Sequence, residues 1–483
     1  IEQGLTVAVS DPFNIMAIDM LKSLIKTDIY LVLATSSEII KAIDKYYSIL
    51  GLDKRTIVPD LEKPLKEVIK GVGDIKIETV AAIETEEDIT EITKISQEAP
   101  IIEMVNNILT GAVKQRASDI HIEPYPGQLR LRYRIDGILH EVRTFPQGMD
   151  RALIARVKIM SNLDITRRRL PQDGRLSLVL DKKEMDCRVS ILPVHAGEKV
   201  VLRLLEKSNL QIDLEKLGFS LHVLEAFKKA VVKPHGMVLL TGPTGSGKST
   251  TLYALLNTLD KLEKNIITIE DPVEYQMQGI TQIQIKPEIG LTFAHSLRAV
   301  LRQNPNVIMI GEIRDIETVD IAMKSALTGH LILSTLHTND APSAIVRLMN
   351  MQVEPFLISS TLVLIAAQRL CRRICDKCKE SYEISIEKLS GLPQDYKDKL
   401  ATCFRGKGCK NCNNTGYFGR IPVVQAIIID DIIREMILKR ESLVKIREYA
   451  HSKGMKTLRE DGIEKVFKGE ISLEEVLRVT PEG

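Results

Sequence analysis

A glycine-rich loop ending in Lys-Ser-Thr constrains this chain more than any other stretch. It is entered from an apolar run and left into a helix: Leu239-Leu240-Thr241-Gly242-Pro243-Thr244-Gly245-Ser246-Gly247-Lys248-Ser249-Thr250. Gly242, Gly247, Lys248 and Ser249 complete the pattern G-x-x-x-x-G-K-[ST], with Pro243, Thr244, Gly245 and Ser246 between the two glycines and Thr250 after the pattern. Glycines let successive backbone N–H groups turn toward one point, which makes a nest for phosphate oxygens at a helix start. Lys248 then reaches the β- and γ-phosphates as a point charge, and the Ser249 hydroxyl serves the magnesium that accompanies a nucleotide triphosphate. The plain alternative is a Gly/Ser-rich turn. Context argues against it, because Met237 to Leu240 has the pattern of a buried strand and Thr250 to Leu256 that of a helix. A strand, a phosphate loop and a helix in this order are the opening of an α/β sheet.

The chain has 483 residues, enough for about three domains. Its 44% hydrophobic and 27% charged residues are those of an ordinary globular protein, and no apolar run approaches the length of a membrane span. A net charge of +2 and an aromatic content of 4% give little support to nucleic-acid binding, so no nucleic-acid partner is expected. Seven cysteines are too few for a disulfide scaffold and fit a reducing, cytoplasmic compartment. The sequence opens on Ile1 rather than Met, so a preceding segment is expected.

Taken in order, strands at Leu5 to Val9 and Ile29 to Ala34 alternate with helices at Ile15 to Ile25 and Ser37 to Tyr47, a partial βαβα docking domain over residues 1–50. Residues 51–99 are charged and weakly patterned, as a linker is. An α+β domain is expected over 100–207. It starts with a one-faced helix and includes Leu129 to Ile135, where apolar and basic residues alternate strictly so that one strand face is arginine. The nucleotide core is expected over 208–370, a four-cysteine element over 371–420, and a helical C-terminal part over 421–483.

Other stretches carry chemistry. Ile266 to Ile269 is a strand whose end presents Glu270 and Asp271; a glutamate there can orient or deprotonate attacking water, a role assigned to Glu270. The alternative is a solvated strand end before Pro272. Val307 to Ile310 leads to Gly311-Glu312, the acid of a Walker B strand, with glycine where an aspartate is usual. A direct carboxylate contact to magnesium is thereby in question, and Glu312 is expected to act through ordered water or on the nucleophile. His330 and His337 flank the strand Leu331 to Leu336, either as structural residues or as sensors of the γ-phosphate. Cys375-x2-Cys378 and Cys409-x2-Cys412 form two knuckles with the spacing of a structural zinc site, whereas Cys187, Cys371 and Cys403 read as ordinary thiols.

Together, the phosphate loop, Ile269-Glu270-Asp271-Pro272-Val273-Glu274-Tyr275, Leu301 to Pro305, Gly311 to Asp315, Gly329 to Asp340, Arg169 to Arg175, the cysteine knuckles and Gly454 to Gly462 resemble the secretion ATPases of type II secretion and type IV pilus assembly. The resemblance implies a RecA-like P-loop domain preceded by a smaller α+β, PAS-like domain, arranged in homo-hexameric rings with ATP in the cleft between the domains. It further implies that Arg188 and Arg203 of the smaller domain, and Arg298 and Arg314 of the ATPase domain, reach the phosphates, and that His330 and His337 form a histidine box. Implied partners are an inner-membrane platform protein and a cytoplasmic docking partner, with the chain peripheral to the inner membrane. Retraction motors fit poorly, because they lack the cysteine knuckles. Secretion is favoured modestly over pilus extension; a RecA-like translocase and a scaffold that binds nucleotide without turnover are the rivals.

Overall fold

The computed structural model describes residues 4–9, 28–34, 99–146, 149–180, 183–206, 213–383 and 402–480. The chain divides into two compact units, Ile1–Lys76 and Ile77–Gly483. In the first, strands β1 (Gly4–Val9) and β2 (Asp28–Leu33) pair in parallel. The expected helices from Ile15 and Ser37, and nearly all of the expected linker, lie outside the described residues.

The second unit opens with a helix, Ala99–Lys114, and a six-stranded antiparallel sheet. Its strands are β3 (Ala117–Tyr125), β4 (Gln128–Ile135), β5 (Ile138–Pro146), β6 (Gln172–Leu180), β7 (Lys183–Val194) and β8 (Gly197–Glu206), in the order β5-β4-β3-β8-β7-β6. The alternation from Leu129 to Ile135 sorts as its period demands: Leu129, Leu131, Tyr133 and Ile135 are buried. Tyr133 donates to Ile108 O in the first helix at 2.7 Å. The intervening arginines lie on the opposite, charged face. There Glu123 accepts from Arg130 at 3.2 Å, Arg132 at 2.8 Å and Lys199 at 2.9 Å, while Asp119 meets Arg134 at 3.3 Å and Arg203 at 2.9 Å. Burial disfavours charge on Glu123, but these cations prevail and hold its carboxyl down to about 2.

A seven-stranded sheet follows, built from β9 (Gly236–Thr241), β10 (Ile266–Glu270), β11 (Thr281–Gln284), β12 (Val307–Ile310), β13 (Leu331–Leu336), β14 (Leu362–Ile374) and β17 (Tyr417–Ile428). The order is β11-β10-β12-β13-β9-β14-β17, parallel except for the antiparallel pairing of β17 with β14. Both faces are covered, so the central strands are apolar throughout rather than alternating. Met237 and Leu239 join one core layer, Val238 and Leu240 the other.

The cysteine element and C-terminal part differ from expectation. The core expected over 208–370 runs on in β14 to Ile374, and β17 returns into the same sheet, so the element is an excursion between two paired strands rather than a module after the core. Within it β15 (Lys379–Glu383) pairs with β16 (Thr402–Gly406). The region from 421 likewise begins in strand before turning helical. Its helix Leu458–Phe467 is pinned by Asp461, fully buried, which accepts from Ser220 Oγ and from Val424 N at 2.9 Å. Among the described residues no helix is long and apolar enough to cross a membrane.

Candidate functional site

Because β9, β10, β12 and β13 are parallel, their C-terminal ends share one edge of the sheet, and the phosphate loop, Glu270, Glu312 and His337 gather there. The loop enters the left-handed side of conformational space at Gly242, Gly245 and Gly247, with φ of 145°, 79° and 86°. Gly247 precedes the helix Lys248–Asn257, so the N-terminal end of that helix faces the nest. Lys248 folds back over the loop and donates to Gly242 O at 2.8 Å and Pro243 O at 3.1 Å. The Ser246 hydroxyl is buried without a hydrogen-bond partner among the described residues, beside the backbone of Gly242. An unsatisfied donor in a cradle of backbone N–H groups fits an oxyanion, and Ser249, exposed on the first helical turn, is free to meet a cation beside it. The donor set therefore fits ATP with magnesium.

Glu312 follows β12 and is an acid open to this space, with a side chain 17% exposed. Arg314 pairs with it, and His337 Nε2 lies 3.4 Å from its other oxygen. At Gly311 a Cβ would sit 3.3 Å from Ile269 O, tighter than ordinary contact, so the neighbouring β10 favours a residue without a side chain there. The two histidines part company. His337 stands at the loop edge, but His330 precedes β13 and its backbone O accepts from Gly236 N, at the start of β9. That end is a full strand from the loop, and the His330 ring is engaged with Ser325 O at 3.0 Å. His330 therefore lies apart from the phosphate loop of its own chain, in the place of the structural alternative.

Glu270 is also placed differently from its expected role. It is 4% exposed, and one oxygen is taken by Thr268 Oγ1 at 2.6 Å and Gln282 Nε2 at 3.1 Å, the other by Tyr253 OH. Burial raises its pKa despite these donors. A carboxyl enclosed in this way braces the helix after the loop, and Oε2, with Tyr253 as its one donor among the described residues, keeps acceptor capacity. Arg298 is occupied on the surface by Glu317.

The arginines of the smaller domain form a cross-strand row. Arg175, Arg188 and Arg203 are register neighbours on β6, β7 and β8, and line a cavity of about 430 Å³ with Asp173 and Ser190. Arg203 is held by Asp119, whereas Arg188 leaves its own domain and meets Glu274 at 2.8 Å, just beyond β10. Sequence patterns alone did not single out Glu274 and Arg175; Arg175 is placed by the strand register and Glu274 by the approach of Arg188 from the other domain. A second contact ties the domains: Gly419 N donates to Asp136 at 3.0 Å, with the Arg116 guanidinium 3.4 Å above the Phe418 ring.

The four cysteines converge as their spacing predicts. Sulfur separations are 3.9 Å for Cys375 and Cys409, 3.8 Å for Cys378 and Cys412, and 3.7 Å for Cys409 and Cys412. A tetrahedron of thiolates about 2.3 Å from a central zinc has edges of about 3.8 Å. Backbone N–H groups of Gly408, Cys409 and Gly416 point at the sulfurs. Close approach of Gly406 and Gly416 lets the knuckles meet, since a Cβ on Gly406 would lie 1.9 Å from Gly416 O.

Comparison with known proteins agrees with this architecture. The family model described as "Type II/IV secretion system protein" matches residues 94–478, and the "MshEN domain" model matches residues 2–51. The chain is 48% identical over 478 residues to the type IV pilus assembly ATPase PilB of Myxococcus xanthus, covering 98% of this chain and 82% of that one. It is 43% identical over 477 residues to type II secretion system protein E of Xanthomonas campestris pv. campestris, covering 98% and 81%. Among solved structures it is similar to the pilus retraction motor PilT with bound ADP, with a TM-score of 0.54 and 26% identity, covering 77% of this chain and 96% of that one.

Proposed function

This chain belongs to the type II/IV secretion system protein family and is one of its RecA-like ATPases, and from that premise we propose that it hydrolyses ATP in the cleft between its two domains to drive pseudopilus assembly and protein export by type II secretion. One observation carries the proposal: Lys248, Glu312 and His337 converge on the edge of the sheet that Arg188 meets from the other domain.

In the proposed mechanism the loop N–H groups and Lys248 receive the phosphates, and Ser249 supplies a hydroxyl ligand to magnesium. The metal, when bound, neutralises charge on the β- and γ-phosphates. Glu312, steadied by Arg314 and His337, orients and deprotonates water for in-line attack on the γ-phosphorus. Arg188, with Arg203 beside it, stabilises the charge of the departing phosphoryl group as the smaller domain closes. Six chains in a ring pass that closure to an inner-membrane platform protein from the cytoplasmic face, and the N-terminal unit meets a docking partner. The four cysteines hold one structural zinc.

A second function, extension of a type IV pilus, is favoured by the 48% identity to a pilus assembly ATPase. Hydrolysis by the purified chain tests the enzyme itself: wild type releases phosphate from ATP and Lys248→Ala does not, and equal rates would contradict the proposal. Deleting the gene in its host separates the outputs, with loss of secreted enzymes supporting export and loss of surface pili supporting extension.

A further inference from the structure

Gln368 lies in β14 directly beneath the phosphate loop. In the register of β14 with β9, Ala367 faces Thr241, so Gln368 falls level with the first residue of the loop, Gly242. The side chain is 2% exposed and its amide is used in two directions: Nε2 donates to Ser246 O at 2.8 Å, and Oε1 accepts from Thr251 Oγ1 at 2.9 Å. One partner is in the loop and the other in the first turn of the helix that follows. Packing there is close, since a Cβ on Gly247 would stand 2.8 Å from Gln368 Nε2 and one on Gly242 2.5 Å from Gln368 O.

Planarity of the peptide unit gives this bond its consequence. The C=O and N–H of a trans peptide point in opposite directions, so a Ser246 carbonyl held down on Gln368 turns the Gly247 N–H up, away from β14 and toward the mouth of the loop. A donor fixed in advance needs no reorganisation when the anion arrives. Burial strengthens the arrangement, because Ser246 O and Thr251 Oγ1 lose much if their partner is removed.

We propose that Gln368 is a positioning residue for nucleotide binding, which aims the Gly247 N–H at phosphate without touching the nucleotide itself. This role rests on the ATPase function given above. Glutamine is the side chain that suits it: glutamate keeps the acceptor for Thr251 but sets a carboxylate oxygen against Ser246 O, and methionine fills the space with neither group.

Titration of fluorescent ATP into full-length wild type, Gln368→Met and Gln368→Glu tests it, alongside steady-state kinetics. Both variants are expected to bind about tenfold more weakly and to lose kcat/KM chiefly through a raised KM. Gln368→Glu should regain affinity on acidification, as its carboxyl gains the proton it needs to donate to Ser246 O, and wild type should show no such gain. The rise in Tm that ATP produces, read against each variant's own nucleotide-free Tm, separates positioning from lost fold: a merely destabilised variant keeps the full rise. Folded variants that bind ATP as tightly as wild type would overturn the role of Gln368 alone. Wild type that binds no ATP would overturn the ATPase function and this role with it. If Gln368→Met does not fold, the acid rescue of Gln368→Glu decides, and its absence in a folded variant would refute the proposal.

Discussion

Arg188 of the six-stranded sheet lies 2.8 Å from Glu274, on the segment that follows β10 in the other domain. Both side chains are partly exposed, at 26% and 33%, and a pair in that setting is worth about 0–1 kcal/mol. Such a contact holds a guanidinium at the rim of the cleft and releases it at small cost. Phosphate, with more charge, is the stronger partner once the domains close.

Removing that guanidinium should therefore affect turnover much more than binding. Arg188→Ala is expected to lower kcat by about a thousandfold, within the range of arginines that reach a departing phosphoryl group, while ATP affinity changes by less than about tenfold. Arg188→Lys recovers only part, since an ammonium lacks the planar fork. Steady-state kinetics and a binding titration check this; a kcat within about twofold of wild type would rule out the role.

Protonation of Lys248 gives a pH signature. Burial in the loop lowers its ammonium to about 8, with Glu312 opposing the shift and Arg369 adding to it. The unfolded value is about 10.4, so between the two the unfolded chain binds more protons. From this group alone, nucleotide-free stability rises with pH across that window, as the neutral amine escapes the cost of burial. Phosphate restores the charge, so ATP binding should take up a proton above about pH 8 and none well below it. Calorimetry in buffers of differing ionisation enthalpy measures the uptake, and Lys248→Ala should abolish it; identical uptake in the variant would assign the proton elsewhere.

How much of this could be read from the chain depended on whether a feature is local. The phosphate loop, the alternation at Leu129 to Ile135 and the paired cysteines each carry their signal within a few residues, and each folds as its pattern implies. Glu270 and His330 are placed by features outside their own stretches. A strand end looks equally polar whether it faces the cleft or the opposite edge, and only the register of β13 against β9 puts His330 at the opposite edge. Likewise Tyr253, far from Glu270 in sequence, donates to its carboxyl. Gln368 carried no local signal, because its meaning lies in Ser246 and Thr251, which other elements bring to it. Strand β17 was overlooked because its apolar run directly follows the cysteine turn.

The sulfur geometry predicts about one zinc per chain in protein purified without chelators, measured by elemental analysis. Cys378→Ser or Cys409→Ser should lower the content and the Tm together, because the excursion between β14 and β17 loses its closure. Metal-free wild type with an unchanged Tm would remove zinc from the structure's support.

The proposed function requires that Glu312 drive hydrolysis at a site whose binding half is complete without it. Single-turnover hydrolysis of radiolabelled ATP by Glu312→Gln, with bound nucleotide counted in the same samples, tests it most directly. ATP is expected to remain at wild-type occupancy while the hydrolysis rate falls by about a hundredfold or more. Hydrolysis at the wild-type rate in Glu312→Gln would contradict it.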